Sequence, residues 1–428
     1  MLLPIAERDK KISDAKKRFF DAVADDLMNP GRFKQYYNSR TQKLIRFNIP
    51  RGASVLEIGC GTGDLLASLE PKRGLGIDFS KKIVAAARER HPDLEFQVAD
   101  AQSFKTKEKF DYVLLSNLVG ELVDVQRVLE RLENVSYDRT RIVITHYNYL
   151  WGPFVKMAEK LGIKPRQREQ NWLEIGDLSN LLELTGIETI KRGRSLLAPI
   201  EIPLVSNIVN EYLSPLPGLN RLCVNELVVG RALRKNRKRA CKVSVIVACK
   251  DERGNIEEIF RTVPKMGKGT ELIFVDGNSE DGTVEEINRC IEALGELNPN
   301  LDDARVYVQS GKGKGDAVRL GFEEASGEIL MILDADITVR PEDLPKFHDA
   351  LVDGMGEFIN GTRLVYPMED QAMRFLNMLG NHFFGWAFSW LLDQRLTDTL
   401  CGTKVLYKSD YEAIKRGRTY FGDFDPFG

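Results

Sequence analysis

Residues 54–69 read SVLEIGCGTGDLLASL, a short apolar run that leads into three closely spaced glycines and then into a helical pattern. Glycine lets the backbone turn tightly and approach a ligand at the carboxyl end of a strand, beside the positive N-terminus of the next helix. Gly59, Gly61 and Gly63 follow the spacing G-x-G-x-G, whereas a dinucleotide site carries G-x-G-x-x-G. With the acidic Glu57 before them, they favour a zwitterionic amino acid over a pyrophosphate, because an acid beside the loop can accept from an ammonium group.

Two further acids end the next apolar runs. Asp78 closes GLGID at 74–78, about where a carboxylate binds a ribose diol, and Asp100 closes FQVAD at 96–100, where it can accept from an adenine amino group. Three acids at the ends of three successive strands are hard to obtain from packing alone. The sequence therefore predicts a nucleoside-containing ligand at this edge of a sheet.

Apolar runs and helical patterns alternate along the whole chain, which is typical of parallel sheets covered by helices. The predicted strands of the first half lie at 53–58, 73–77, 94–98, 110–116 and 140–146, with helices at 81–90 and 121–132. The alternation resumes with strands at 243–249, 271–276, 304–309 and 327–336. We therefore predict an α/β protein with two tandem α/β domains.

A basic segment separates the two halves. Residues 231–242, RALRKNRKRACK, hold seven Arg or Lys residues and no acid. The predicted domains are residues 1–233 and 243–428, joined by a linker at 234–242. A solvated linker is the simpler interpretation, and a patch that rests on anionic lipid headgroups is the alternative.

Composition narrows the cellular setting. The 428 residues are 43% hydrophobic and carry a formal net charge of −2, so the whole chain has no pull toward nucleic acid. The six cysteines show no paired spacing, the first 20 residues lack a secretory signal, and no apolar run reaches the ~20 residues that span a bilayer. We expect a cytoplasmic protein, with peripheral contact at the cytoplasmic face of a membrane as an open alternative.

The run E-x-G-x-G-x-G followed by a strand-end acid resembles the class I S-adenosylmethionine-dependent methyltransferases, over about residues 35–233. The resemblance implies a Rossmann-like fold and S-adenosyl-L-methionine contacts, which would fall on Glu57, Gly59, Gly61, Gly63, Asp78, Asp100 and, near the sulfonium, Asn117. His146, Tyr147 and Tyr149 are expected to follow the fifth strand and face the methyl acceptor. His146 is a candidate catalytic base, with a structural role as the alternative.

A second site is predicted at the end of the segment GEILMILDAD, residues 327–336. Asp334 and Asp336 are separated by one residue, and two like charges in a partly desolvated place repel each other unless a cation lies between them. Mg²⁺ or Mn²⁺ that bridges to a diphosphate would remove this repulsion. Isolated D-x-D pairs are common in turns, so the surrounding sequence decides the interpretation.

That surrounding sequence resembles the family 2 glycosyltransferases of GT-A fold, over residues 243–428. VSVIVACKDERGNIEEIF, ELIFVDGNSEDGTVEEI and SGKGKGDAVRLGFEEASGE carry the resemblance, which is nearest to the polyprenyl-phosphate branch, the dolichol-phosphate mannose or glucose synthases. It implies an inverting nucleotide-diphospho-sugar transferase. Its donor site would comprise Glu252 and Asp276 on the nucleoside, Lys314 near the donor, and Asp334 and Asp336 on the metal and diphosphate. Recognition of the sugar or acceptor phosphate would fall on Arg363, Asp398, Gly402 and Lys404, and Asp336, Arg363, Asp398 and Lys404 are the catalytic candidates.

Several points stay open. Ala248, Cys249, Lys250 and Asp251 replace the family's usual proline and asparagine, and Gly277 replaces its second aspartate, so UDP and GDP donors are not distinguished. Residues 374–392, RFLNMLGNHFFGWAFSWLL, suit either a core helix or a helix at a lipid interface. The favoured hypothesis is a bifunctional enzyme acting on a polyprenyl-phosphate or glycolipid acceptor. The alternative is an active glycosyltransferase whose methyltransferase-like half only binds a cofactor or partner.

Overall fold

The structure of the chain is a computed structural model, and it describes residues 5–160, 173–232, 241–361, 383–389 and 401–418. The chain divides into two compact units, Met1–Leu233 and Arg234–Gly428. They are called the N-terminal unit and the C-terminal unit, and each is described by itself.

A single mixed sheet forms the centre of the N-terminal unit. Its strands among the described residues are β1 Ser54–Ile58, β2 Arg73–Asp78, β3 Glu95–Val98, β4 Phe110–Ser116, β5 Ser136–Tyr147, β6 Ile187–Ser195 and β7 Asn225–Ala232. The order is β3-β2-β1-β4-β5-β7-β6. Strands β1 to β5 pair in parallel, and β7 runs antiparallel to both β5 and β6.

Helices pack on both faces of this sheet. They are α1 Ile5–Ala22, α2 Ala24–Met28, α3 Arg32–Asn48, α4 Asp64–Ser68, α5 Lys81–Arg90, α6 Val125–Arg131, α7 Gly152–Lys160, α8 Ile175–Leu184 and α9 Val205–Ile208. Helix α5 shows how the sequence specifies them: the Ser80 hydroxyl caps its start by accepting from the amide of Ile83, and Ile83, Val84 and Ala87 form its buried face.

The five strands predicted for this unit are confirmed, but β6 and β7 were not predicted. Strand β6, IETIKRGRS, is half exposed and carries four charged residues, so it lacks the apolar run that marks a buried strand. The predicted basic segment was too long at both ends. Arg231 is buried in β7 and places Nη2 2.6 Å from Oε2 of Glu188 in β6, while Lys242 opens the first strand of the C-terminal unit.

The C-terminal unit is built on a second mixed sheet. Its described strands are β8 Lys242–Cys249, β9 Gly269–Asp276, β10 Asp303–Val308, β11 Ile329–Asp334, β12 Phe358–Asn360 and β13 Lys404–Tyr407, in the order β10-β9-β8-β11-β13-β12. Strands β8 to β11 are parallel, and β13 is antiparallel to β11 and β12. The helices are α10 Arg253–Thr262, α11 Thr283–Glu292, α12 Leu294–Leu297, α13 Lys314–Glu324, α14 Leu344–Val352 and a last helix at Lys408–Arg418. The four parallel strands are those that the sequence predicts.

One fully buried carboxylate ties three of these strands together. Glu271 in β9 accepts from Lys242 Nζ at 2.9 Å, from Arg305 Nη2 at 2.8 Å, from the Ser244 hydroxyl at 2.5 Å and from the Ser326 amide at 2.7 Å. Burial alone would raise the pKa of Glu271, but these hydrogen bonds outweigh it and lower the pKa to about 2. The charged form is therefore part of the folded state.

We expect Glu271→Gln to reduce the free energy of unfolding of the C-terminal unit by about 3 kcal/mol, because Lys242 and Arg305 lose their common partner. The pKa of Glu271 is lower in the folded than in the unfolded chain. Its stabilisation is therefore complete above about pH 4.5 and disappears as the pH falls toward about 2. Urea unfolding between pH 7 and pH 3 measures both effects.

Glu257→Gln is the matched control, because Glu257 lies on α10 in exposed ion pairs and should change stability by less than about 0.5 kcal/mol. Equal effects of the two substitutions would contradict the importance given to the Glu271 network.

Candidate active sites

The glycine loop after β1 lies at the carboxyl edge of the first sheet. Gly59, Gly61 and Gly63 have φ angles of 75°, 53° and 76°, a region that side chains disfavour. A Cβ on Gly59 would lie 2.7 Å from Leu118, and one on Gly63 would lie 2.5 Å from Phe96. No atom lies within 4 Å of the position of a Cβ on Gly61. The loop is therefore backed by protein on two sides and open at Gly61.

Glu57 is buried behind this loop. It lies in β1, two residues along from Val55 and so on the same face of the strand, and it is 2% exposed. Burial raises the pKa of the Glu57 carboxyl well above its usual value, and the negative charge of Asp78 raises it further. Its Oε2 has no hydrogen-bond partner within the described part of the chain. A buried oxygen without a partner is costly, and a ligand ammonium group would supply one.

The two other predicted acids reach the same edge. Asp78 ends β2, where Oδ2 accepts from the Gly61 amide at 3.2 Å and Oδ1 accepts from the Ser80 amide at 2.9 Å. Burial raises the pKa of Asp78. Asp100, two residues beyond β3, lines a cavity together with Asp78 and Gly59. The structure thus brings Gly59, Asp78 and Asp100 to one cavity, whereas Glu57, Gly61 and Gly63 do not line it.

Helix α1 covers this cavity, which was not predicted. The Ser13 hydroxyl donates to Asp100 Oδ2 at 3.2 Å, Lys16 Nζ donates to the Glu121 carbonyl at 2.7 Å, and the Phe20 ring lies edge-on to Phe79 at 5.6 Å. The remaining cavity has about 40 Å³, whereas ligand sites usually offer several hundred. Entry of a nucleoside therefore requires α1 to move.

An aromatic pair lies near the predicted sulfonium position. Asn117 follows β4 with a φ of 52°, and its Oδ1 accepts from Tyr37 Oη at 3.1 Å. The Tyr37 ring stacks on Tyr147 with the centroids 5.2 Å apart. Burial raises the pKa of both phenols, so both stay neutral. Tyr37 comes from α3, distant in sequence, and no motif marks it.

The prediction that His146 and Tyr147 follow the fifth strand is wrong, because β5 continues through Tyr147. His146 is buried within the sheet and places Nε2 3.0 Å from Oε2 of Glu226 in the adjacent strand β7. Arg194 of β6 also donates to Glu226, at 2.9 Å. His146 does not line the cavity beside Asp78. These contacts favour the structural role for this histidine.

The C-terminal unit has an open cleft of about 600 Å³ at the carboxyl edge of β8 and β11. Four of the predicted donor-site residues line it together: Glu252, Lys314, Asp334 and Asp336. Lys250 and Lys312 add two further cations, which the sequence analysis did not assign to the donor. The cleft therefore offers both carboxylates and ammonium groups to a ligand.

Asp334 is held between a lysine and a glycine. Lys314, the first residue of α13, forms an ion pair with Asp334 Oδ1. A Cβ on Gly402 would lie 1.9 Å from Asp334 Oδ2 and 2.1 Å from its Oδ1. Asp336 accepts with Oδ1 from the amide and hydroxyl of Thr338, at 3.0 Å and 2.5 Å. The repulsion expected between the two aspartates is thus offset by Lys314.

The predicted contact between Asp276 and the nucleoside requires Asp276 to line the cleft. Asp276 does not line it. It is 1% exposed and accepts from the amide and hydroxyl of Ser279, at 2.9 Å and 2.5 Å, so it closes the turn after β9. Gly277 of that turn lines the cleft instead. Gln309, which sequence reasoning missed, also lines it, and its buried Oε1 has no partner among the described atoms. Its position directly after β10 was the available signal.

The remaining candidates have mixed outcomes. Glu252 precedes the first residue of α10 without a side-chain capping hydrogen bond, and its Oε2 accepts from Asn255 Nδ2 at 2.8 Å. Lys404 opens β13 and donates to the Cys401 carbonyl at 2.6 Å, outside the cleft lining. Arg363 and Asp398 lie outside the described residues, so their roles stay predictions.

Comparison with known families agrees with both geometries. Residues 49–181 match the profile of the family described as Methyltransferase domain, and residues 244–413 match that of Glycosyl transferase family 2. The chain joins a class I methyltransferase domain to a family 2 glycosyltransferase domain. Both belong to transferase families.

Individual relatives match one domain at a time. The glycosyltransferase domain is 40% identical over 126 residues to a dolichol-phosphate mannosyltransferase of Saccharomyces cerevisiae, covering 28% of this chain and 44% of that protein. It is 34% identical over 126 residues to the Pyrococcus furiosus dolichol-phosphate mannosyltransferase, covering 29% and 34%. The methyltransferase domain is 30% identical over 113 residues to a trans-aconitate 2-methyltransferase of Variovorax paradoxus, covering 24% and 44%. The chain thus spans less than half the length of these relatives.

The helices that the structure describes include none with the length and apolarity needed to cross a bilayer.

We expect Gly402→Ala to reduce the free energy of unfolding of the glycosyltransferase domain by about 1–3 kcal/mol, because the new methyl group would overlap the Asp334 carboxylate. Gly254→Ala is the control: the position of its Cβ has no atom within 4 Å, and alanine in a helix is neutral or stabilising. Thermal unfolding of both variants measures the difference, and equal melting temperatures would contradict the close approach of Gly402 to Asp334.

Proposed function

We propose that the chain is a bifunctional enzyme. Residues 1–233 transfer a methyl group from S-adenosyl-L-methionine, and residues 243–428, joined to them by a linker at 234–242, transfer a sugar from a UDP- or GDP-linked donor with inversion. The sugar acceptor is a polyprenyl phosphate or a related glycolipid. The observation that carries the proposal is the presence of two separate strand-edge sites, each with charged groups suited to its own donor.

In the methyltransferase domain, each part of the cofactor has a counterpart. The Glu57 oxygen that lacks a partner suits the ammonium group, and the open approach at Gly61 suits the methionine backbone. Asp78 suits the ribose diol and Asp100 the adenine amino group. Methyl transfer is an in-line displacement, so placing the acceptor ~3 Å from the methyl carbon supplies much of the rate. A general base is not required, which agrees with the buried position of His146 within the sheet.

In the glycosyltransferase domain, Asp334 and Asp336 suit Mg²⁺ or Mn²⁺, since magnesium is commonly held by one or two carboxylates together with substrate phosphates. The metal would neutralise charge on the departing diphosphate. Lys250, Lys312 and Lys314 line the same cleft and add positive charge beside that leaving group. An acceptor phosphate is already ionised near pH 7, so the reaction needs no base.

Two observations support a lipid-linked sugar acceptor. The yeast and Pyrococcus relatives are dolichol-phosphate mannosyltransferases. Residues 374–392 were expected to form either a core helix or a helix at a lipid interface. Within them, residues 383–389 are helical and expose four large aromatic side chains, Phe383, Phe384, Trp386 and Phe388. This exposure favours a helix at a lipid surface over a core helix, and it supports the proposal of peripheral contact with a membrane, at its cytoplasmic face.

A second function has one observation in its favour. Because Ser13 and Lys16 of α1 line the first cavity, which has only about 40 Å³, the methyltransferase domain would act only as a partner-binding module if α1 cannot open. A thermal-shift measurement decides between them: saturating S-adenosylmethionine at 100 times its dissociation constant should stabilise the domain by about 2.7 kcal/mol. No shift would exclude cofactor-dependent methyl transfer.

Glu57→Gln should weaken S-adenosylmethionine binding by roughly 10- to 100-fold, the loss expected for one charge-assisted hydrogen bond to the ammonium group. Because the pKa of Glu57 is raised, the wild-type affinity should rise with pH as the carboxyl ionises, and the variant should lose this dependence. The apo variant should melt at the same or a higher temperature at pH 8, since it buries no charge. Calorimetric titration over a pH series measures the affinity, and equal affinities of the variant and the wild type at every pH would refute this role.

Lys314→Met should change two affinities in opposite directions. Manganese alone should bind more tightly, because no ammonium group competes for Asp334, whereas the nucleotide sugar should bind at least tenfold more weakly in the presence of manganese. Lys346→Met is the control, since Lys346 of α14 pairs with Asp343 and does not line the cleft. Calorimetric titrations with manganese and with the donors measure both values. A parallel loss of both affinities would contradict the competition.

A further inference from the structure

The connection between β6 and β7 lies at the same sheet edge as the proposed methyl-transfer site. Strands β5 and β6 both run antiparallel to β7, so their carboxyl ends meet at one edge. Residues 196–224 leave β6 there and return to β7, and residues 149–157 follow β5 at the same place. Both segments therefore border the side from which a methyl acceptor approaches.

These two segments expose an unusual amount of apolar surface, which is called the apolar rim. Its exposed large apolar side chains are Tyr149, Leu150, Phe154, Met157, Ile200, Ile202, Leu204, Val205, Ile208, Tyr212, Leu213, Leu216, Leu219 and Leu222. Leu204 is 78% exposed and Tyr212 is 70% exposed. Scattered single apolar residues on a surface need no explanation, but a contiguous set marks an interaction site.

Several uncharged polar residues in and beside the rim point inward. Asn148 Nδ2 donates to the carbonyls of Arg221 and Cys223 at 2.8 Å and 2.9 Å. Asn210 Nδ2 donates to the Ala198 carbonyl at 2.9 Å, and the Ser206 hydroxyl, which is 2% exposed, donates to the Ile200 carbonyl at 2.6 Å. The backbone is therefore fixed from within while the apolar side chains face outward.

Charges on and beside the rim are mainly positive. The cations of the rim and of the adjoining helices α3 and α7 are Arg32, Lys34, Arg40, Lys43, Arg46, Lys156, Lys160 and Arg221, and the acids are Glu159, Glu201 and Glu211. Eight cations minus three acids leave +5, whereas the whole chain carries −2. The acids Glu201 and Glu211 already pair with cations of α3, at 3.3 Å from Arg32 and 3.0 Å from Lys43. Aliphatic side chains can insert into the hydrocarbon of a bilayer, and the surrounding cations can bind its anionic headgroups.

A buried cluster connects the rim to the cofactor edge. Tyr37, Leu196 and Val224 are buried together, with Tyr147 and Trp151 packed against them. Trp151 Nε1 donates to the Leu222 carbonyl at 2.9 Å, so the rim is joined to the residues that also contact Asn117.

We propose that the apolar rim docks the N-terminal unit on an anionic lipid bilayer, and that the methyl acceptor is a polar headgroup carried by a lipid of that bilayer. The second half rests on the methyl transfer proposed above. A second copy of the chain fits the rim less well, because two facing rims with their adjoining helices would each bring a net charge of +5. A bilayer instead supplies hydrocarbon for the aliphatic side chains and anionic groups for the cations.

The test is partition of the full chain onto vesicles of 70% phosphatidylcholine and 30% phosphatidylglycerol in 0.1 M NaCl. The double variant Ile208→Glu/Tyr212→Glu should bind at least tenfold more weakly than the wild type. Leu184→Glu, a 74% exposed leucine that ends α8 at the opposite edge of the sheet, should bind like the wild type. Amide exchange in peptides covering 200–222 should slow in the wild type when vesicles are added.

Equal partition of the double variant and the wild type, or unprotected rim peptides, would overturn the docking. Self-association of the wild type without vesicles, lost in the double variant, would assign the rim to a second copy and also overturn it. A thermal-shift measurement with S-adenosylmethionine on the wild type, the double variant and Leu184→Glu separates the two parts of the proposal, docking and headgroup methylation. If the rim binds vesicles but the cofactor gives no shift, docking stands and headgroup methylation is refuted.

Discussion

Parallel strand pairing is the constraint on which both sites depend. Each unit pairs its central strands in parallel, so their carboxyl ends collect at one edge and the polar residues after them become neighbours. This is why Glu57 and Asp78, 21 positions apart in the sequence, both lie beside the glycine loop after β1. It is also why Asp334 and Glu252 line the same cleft. The antiparallel strands β7 and β13 then extend the edges: β7 places the rim beside the first site, and β13 follows Gly402 at the second.

Two buried glutamates, Glu271 and Glu57, differ in whether both carboxylate oxygens have hydrogen-bond partners. This difference distinguishes a stabilising role from a ligand-binding role. Glu271 is completely surrounded by donors, and its pKa falls to about 2. Glu57 is equally buried, but one oxygen has no partner and its pKa rises. A folded protein gains little from the second arrangement by itself. The unpaired oxygen is therefore the feature of Glu57 that points to a ligand.

The sequence predicted the fold where local patterns sufficed and failed where contacts were distant. The nine parallel strands follow continuous apolar runs, and the glycine loop and the pair Asp334 and Asp336 follow short motifs. Strand β6 is polar and half exposed, so its pairing depends on β7 rather than on its own pattern. The position of α1 and the contact of Tyr37 with Asn117 depend on residues more than 70 positions apart, and no local pattern carries that information.

Both sites already contain an internal partner for the group that a ligand would occupy. Ser13 donates to Asp100 in the first, and Lys314 pairs with Asp334 in the second. Such partners stabilise the apo protein, and each one displaced reduces the net affinity for the incoming ligand. The two displacements differ in scale: the lysine side chain lies in an open cleft and can rotate, whereas the serine belongs to an 18-residue helix that lies over the cavity. Binding at the first site is therefore coupled to movement of α1, and binding at the second is coupled only to exchange of one cation for another.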